Sequence, residues 1–310
     1  MNPALSIIVF TTLAGAAQGL AVVLAVLQLA GMDLDSSFAS RSLWVAVAIL
    51  MGALVASFFH LGRPSRAWRA AMMWRTSWMS REVIVLPFFV VLVAAWAYAL
   101  SSARFEPFGR FFPWIVIAAA AMLWYCTAMI YACIRFIQEW AHPLTIVNYT
   151  VIGLSSGSIL AGALGVTSGQ ARFVANLTTW TIAITALAWL TRALSLRRNA
   201  KLKPKSTLQS ATGIHAPRLV QKSMGMTGGA FNTREFFHHA SVAAFRRMKI
   251  IFQVLGFAAP LALLAFASAS DWNNAWLVAL PIQFVGLLAE RWFFFAQARH
   301  PQNLYYQVVS

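Results

Sequence analysis

Long apolar runs broken by short polar intervals set the pattern of this chain. Eight runs, at about 5–30, 41–59, 83–101, 112–135, 144–165, 173–194, 250–269 and 274–296, each approach the roughly 20 residues that carry a helix across a bilayer. A helix that spans hydrocarbon satisfies its own backbone hydrogen bonds. The pattern predicts an all-α integral membrane protein of eight transmembrane helices, with residues 1–310 forming one polytopic domain. The first run continues to Ala30 with no Lys or Arg before it, so it reads as a retained helix rather than a cleaved signal.

Composition agrees. Hydrophobic residues make up 60% of the chain and charged residues 10%, and the mean hydropathy is +0.68. No soluble domain of any size fits between the runs.

Charge orients the bundle. Eight spans put both termini on one side with the intervals 60–82, 136–143 and 195–249. That side takes all 24 Lys and Arg residues except Arg41, Arg104, Arg110 and Arg172. The acids divide evenly, with Glu82, Glu139, Glu235 and Glu290 facing Asp33, Asp35, Glu106 and Asp271 across the membrane. The whole net charge of +16 therefore lies on one face. The positive-inside bias makes that face cytoplasmic, with both termini inside. Its basic residues can meet anionic lipid headgroups or an acidic soluble partner; nothing in the pattern calls for nucleic acid.

The interval 196–249 is the longest connection. Its first half, with Pro204 and Pro217, reads as an irregular basic arm, and from Asn232 a short amphipathic helix is expected to lay Phe236, Phe237, Val242 and Phe245 on the membrane interface. Gly153-xxx-Gly157, followed by Ser158, Ala161 and Gly162, predicts close packing of the fifth helix.

Candidate cofactor ligands are sparse. Cys126 and Cys133 lie seven residues apart on one helix, about 10 Å and beyond disulfide reach. No CxxC, iron–sulfur spacing or c-type haem motif occurs. Of the six histidines only His60 approaches a span, which argues against a b-type haem held between helices. No haem, cluster or metal is expected in this chain.

Ionisable groups near the membrane need a reason to be there. They are His60, Glu82, Arg135, Glu139, Glu290 and Arg291, all toward the basic face. None is at mid-bilayer, where a transporter or proton pump places its site. The segment FFHLGRPSRAWRAAMMWRTSWMSREV, residues 58–83, holds the densest group. It has two readings. As a quinone site, His60 donates to a carbonyl, Glu82 carries protons, Arg63, Arg66 or Arg81 steadies negative charge, and Trp68, Trp74 and Trp78 supply walls. As a membrane anchor, the same arginines and indoles form an interfacial belt and His60 ends the second helix.

HLGRPSRAW, followed by SREV, resembles the HLGxPxRA element of the dimethyl sulfoxide reductase membrane anchor family. The eight-helix plan is similar over the whole chain. The resemblance implies an anchor in the bacterial inner membrane that binds quinone (ubiquinone or menaquinone), with His60 and Glu82 in the site. It implies two partners on one face, an iron–sulfur subunit and a molybdopterin catalytic subunit. Where the family often has Gly-Glu-Leu near the end of helix 8, this chain reads Gly286-Leu287-Leu288-Ala289-Glu290-Arg291, so Glu290 is a possible substitute acid one turn on. The segments IYACIRFIQEWAHPLT and ERWFFFAQARHPQNLYY look similar to the branch that serves a cytoplasmic sulfite dehydrogenase. That branch implies transfer of electrons into the quinone pool. A reductase anchor running toward quinol oxidation and a stand-alone transporter are the alternatives.

Overall fold

The structure is a computed structural model. It describes residues 1–306 apart from 3, 33, 60, 103–109 and 271. The expectations placed on His60, Asp33, Arg104, Glu106 and Asp271 lie outside the described residues.

Eight helices long and apolar enough to cross a membrane occur among the described residues. They are α1 (Leu5–Leu29), α2 (Ser36–Phe58), α3 (Trp78–Ser101), α4 (Phe112–Ala132), α5 (Pro143–Thr167), α6 (Ala171–Ala200), α7 (Val242–Ser270) and α8 (Ala275–Ala296). Their starts follow local chemistry. Asp35 accepts hydrogen bonds from the amides of Ser37 and Phe38 at the head of α2, and Ser77 accepts from Ser80 N at 3.3 Å to open α3. His142 Nδ1 accepts from Leu144 N at 3.2 Å, with Pro143 at the first position of α5.

α1 and α5 form the centre. α1 packs on α5, α2, α4 and α8, while α3 and α6 flank the group and α7 closes against α8. The small residues expected to pack α5 do so: a Cβ on Gly157 would overlap the carbonyl carbon of Gly19, and one on Gly162 would enter the Trp276 ring. Without a hydrophobic drive between helices in lipid, such backbone approach is a main source of cohesion. The Met1 ammonium reaches the carbonyls of Phe295, Ala296 and Ala298 at 3.1–3.4 Å, so the start of the chain caps the end of α8 on the basic face.

The 196–249 connection departs from its expected form. α6 runs on to Ala200, short helices then cover Leu208–Thr212 and Phe231–Glu235 with a 3₁₀ turn at Gly225–Gly229, and α7 begins at Val242, where Ser241 accepts from Ala244 N at 3.2 Å. His239 breaks the chain at φ 52°. The aromatics expected to lie on lipid instead pack inward. Phe236 stacks on His300 at 3.8 Å, Phe237 meets Tyr306 at 6.5 Å, and Phe245 meets Phe293 at 4.6 Å. The end of α8 and the tail after it supply the surface on which these rings pack.

Candidate functional site

The loop after α2 tightens into a 3₁₀ run, Pro64–Met73, opened by the φ that Pro64 imposes. No residue of the run is buried, and Trp68, Met72, Met73 and Trp74 are all exposed. The Arg69 and Arg75 guanidinium carbons lie 5.5 and 5.4 Å from the neighbouring Trp68 and Trp74 rings. Arg63 and Arg66 are exposed on the same rim.

Arg81, in the first turn of α3, folds back beneath this run. Its Nε donates to Trp74 O and its Nη2 to Arg75 O, both at 2.9 Å, and its guanidinium covers the Trp78 ring at 4.1 Å. Trp78 in turn meets the edge of Tyr125 on α4 at 5.2 Å. Under this stack Glu82 is buried and accepts a hydrogen bond from Thr127 of α4. Of the six residues expected at the site, the structure thus brings Trp78, Arg81 and Glu82 together, leaves Arg63 and Arg66 on the rim, and does not describe His60.

A second polar group lies deeper. Arg192 Nε approaches Glu290 Oε1 to 2.6 Å, and Arg291 Nη1 lies 3.5 Å from Glu290 Oε2. The Arg291 guanidinium covers the Tyr149 ring at 3.9 Å, and Tyr149 stacks with Tyr131 at 5.9 Å. Tyr131 is one helical turn from Thr127, so packed side chains connect Glu82 to Glu290. Glu290 is therefore held between two arginines inside the bundle. Arg192, read from sequence as a charge of the basic face, is 2% exposed. The signal for it was legible: it interrupts the apolar run 173–194, where a cation needs a partner.

What this arrangement offers chemically is flat aromatic wall, a buried carboxyl and one guanidinium nitrogen, Arg81 Nη1, not spent on a carbonyl of the described residues. Those groups fit a planar molecule that enters from lipid and exchanges protons. No group of three or more His, Cys, Asp or Glu side chains able to hold a metal ion occurs among the described residues.

Comparison with known proteins follows the same direction. Residues 1–296 match the model of the DMSO reductase anchor subunit (DmsC) family. The chain is 45% identical to a sulfite dehydrogenase subunit of Allochromatium vinosum, over the full length of both chains. No solved structure matches it.

Proposed function

This chain belongs to the DMSO reductase anchor subunit family, and on that premise we propose that it binds quinone and passes electrons between a docked iron–sulfur subunit and the quinone pool. The observation that carries the reading is Glu82, a buried carboxyl held by Thr127 beneath Arg81 and Trp78, at the loop bearing HLGRPSRAW. Quinone, when bound, takes up two electrons and two protons. Trp78 and Tyr125 wall the ring, Arg81 Nη1 offers a positive donor to an oxygen, and Glu82 holds or releases a proton at its carboxylate. His60, on the family's motif, donates to the other oxygen.

The basic face receives the partners. Its one-sided charge supports a cytoplasmic location through the positive-inside bias. It carries a groove of about 300 Å³ between residues 136–139, 202–206 and 299–304, where Lys203, Lys205 and Arg299 rim apolar Phe136, Pro204 and Leu304. An acidic iron–sulfur subunit bound there, with a molybdopterin subunit beyond it, completes the complex in the bacterial inner membrane. The relative's name favours sulfite as the electron donor and quinone reduction as the direction.

The test is the intact complex carrying His60→Ala or Glu82→Gln. Electron flow from sulfite to a soluble quinone should fall by on the order of 100-fold, the usual contribution of a positioned acid or base. Flow to an artificial acceptor that draws from the soluble subunits should persist. Undiminished quinone turnover in both variants rejects the site.

A further inference from the structure

Polar residues recur at seven-residue steps on three helices that share an interface. On α8 they are Gln283 and Glu290, with Gln297 capping its end; on α6, Thr185, Arg192 and Asn199; on α5, Asn148 and Ser155. Seven residues make about two turns, roughly 10 Å of rise, so the helices present matched rungs. The rungs are bonded across. At the deepest, Gln283 Nε2 donates to Ser155 Oγ at 3.0 Å, and Ser155 Oγ lies 2.8 Å from Thr185 Oγ1. At the middle, Arg192 pairs with Glu290 at 2.6 Å, and Asn148 Nδ2 donates to Ser195 Oγ at 2.7 Å. At the outermost, Asn199 Nδ2 reaches Gln297 Oε1 at 3.5 Å. From there Arg198 Nη1 donates to Asn199 Oδ1 and to Gln138 O on the basic surface, at 2.9 and 3.0 Å.

Helix packing accounts for the deepest rung, since Ser, Thr and Gln commonly bond helices together in lipid. It does not account for the other two. Asn148 Oδ1, Arg192 Nη2 and Gln297 Nε2 are all buried and find no hydrogen-bond partner among the described residues. Buried polar atoms left without a partner are costly in a low-dielectric interior. Donors and acceptors are gathered at the same two levels, the setting that holds buried water. Tyr149 also joins this column to Glu82, through Tyr131 and Thr127.

We propose that the middle and outer rungs, with Tyr131 and Tyr149, form a hydrated proton path between Glu82 and the basic surface. The proposal rests on Glu82 being the proton group of the quinone site. Each hydroxyl or water along the path gives one O–H proton and accepts another, so one proton enters at one end for each that leaves at the other, with no change of oxidation state.

The test uses the whole complex, with sulfite as donor and decylubiquinone as acceptor. Tyr149→Phe keeps the ring on Arg291 and removes only the hydroxyl; Gln297→Leu dries the outer rung. Each should slow quinone reduction by on the order of 10-fold or more and enlarge its solvent deuterium isotope effect. The thermal midpoint and ferricyanide reduction should hold. Wild-type rates and isotope effects in both variants, alongside an inactive Glu82→Gln, would overturn the path and leave the site standing. A fully active Glu82→Gln removes the site and the path together.

Discussion

Arg192 on α6 and Glu290 on α8 meet at 2.6 Å with side chains 2% and 1% exposed, inside the bundle. A buried pair of this kind adds little net stability, but losing one partner strands a charge and costs about 3–5 kcal/mol. Glu290→Ala should therefore lower the thermal midpoint in detergent sharply. Replacing both Arg192 and Glu290 with Leu should recover part of the loss. Equal midpoints for the single and double variants would show that the two charges are not coupled.

Gly157 and Gly52 offer a matched comparison. A methyl group on Gly157 meets the backbone of Gly19, whereas one on Gly52 meets nothing within 4 Å. Gly157→Ala should separate α1 from α5 and reduce the yield of folded protein. Gly52→Ala should fold as well as the parent, gaining slightly from better helix propensity. Size-exclusion profiles of the two variants make the measurement.

Thr127 ties α4 to α3 through Glu82. Thr127→Val removes the donor and keeps the shape. Interhelical hydrogen bonds in membrane proteins average about 0.6 kcal/mol, so stability should change little. Quinone turnover should fall more than stability does, because the carboxyl loses its fixed orientation. A variant with unchanged turnover would separate Thr127 from the chemistry.

His300 clasps the long connection to the tail by stacking on Phe236 at 3.8 Å. Burial, and then the Met1 ammonium, hold its imidazole below the usual value of 6.5. The unfolded chain thus binds the proton near pH 6.5 while the folded chain binds it only at lower pH. Stability from this residue rises with pH through that window and is lost as pH falls below about 6.5. Limited proteolysis of residues 196–241 should accelerate at pH 5.5 relative to 7.5, and His300→Phe, which keeps the stack, should weaken that dependence. His238, also lowered by burial, should leave a residual slope.

The spans were legible because an apolar run of bilayer length has few other uses, and the GxxxG packing of α5 was legible because small residues mark close approach. The loop motif singled out Glu82, but not its cover by Arg81 or its bond to Thr127, since contacts between helices far apart in sequence leave no local trace. Arg192 was counted with the charge of the basic side, but its burial against Glu290 could not be read, because the partner lies far along the chain on α8. The inward packing of Phe236, Phe237 and Phe245 was missed for a similar reason: amphipathic spacing says which face is apolar, not whether lipid or the chain's own tail will cover it.

Within α7, Val254–Ala258 winds as a π-helical turn, and Gly256 there lies against Gly286 so closely that a Cβ on Gly286 would overlap its amide. A π turn accommodates one residue more than the surrounding α-helix. Deleting one residue within this turn would return it to regular winding with the flanking register nearly unchanged, so Phe252 and Phe245 should keep their contacts with Phe293. A deletion elsewhere in α7 has no such slack and would rotate everything before it by about 100°. The length of α7 is thus a reading frame for its packing, with one place where a one-residue gap can be absorbed.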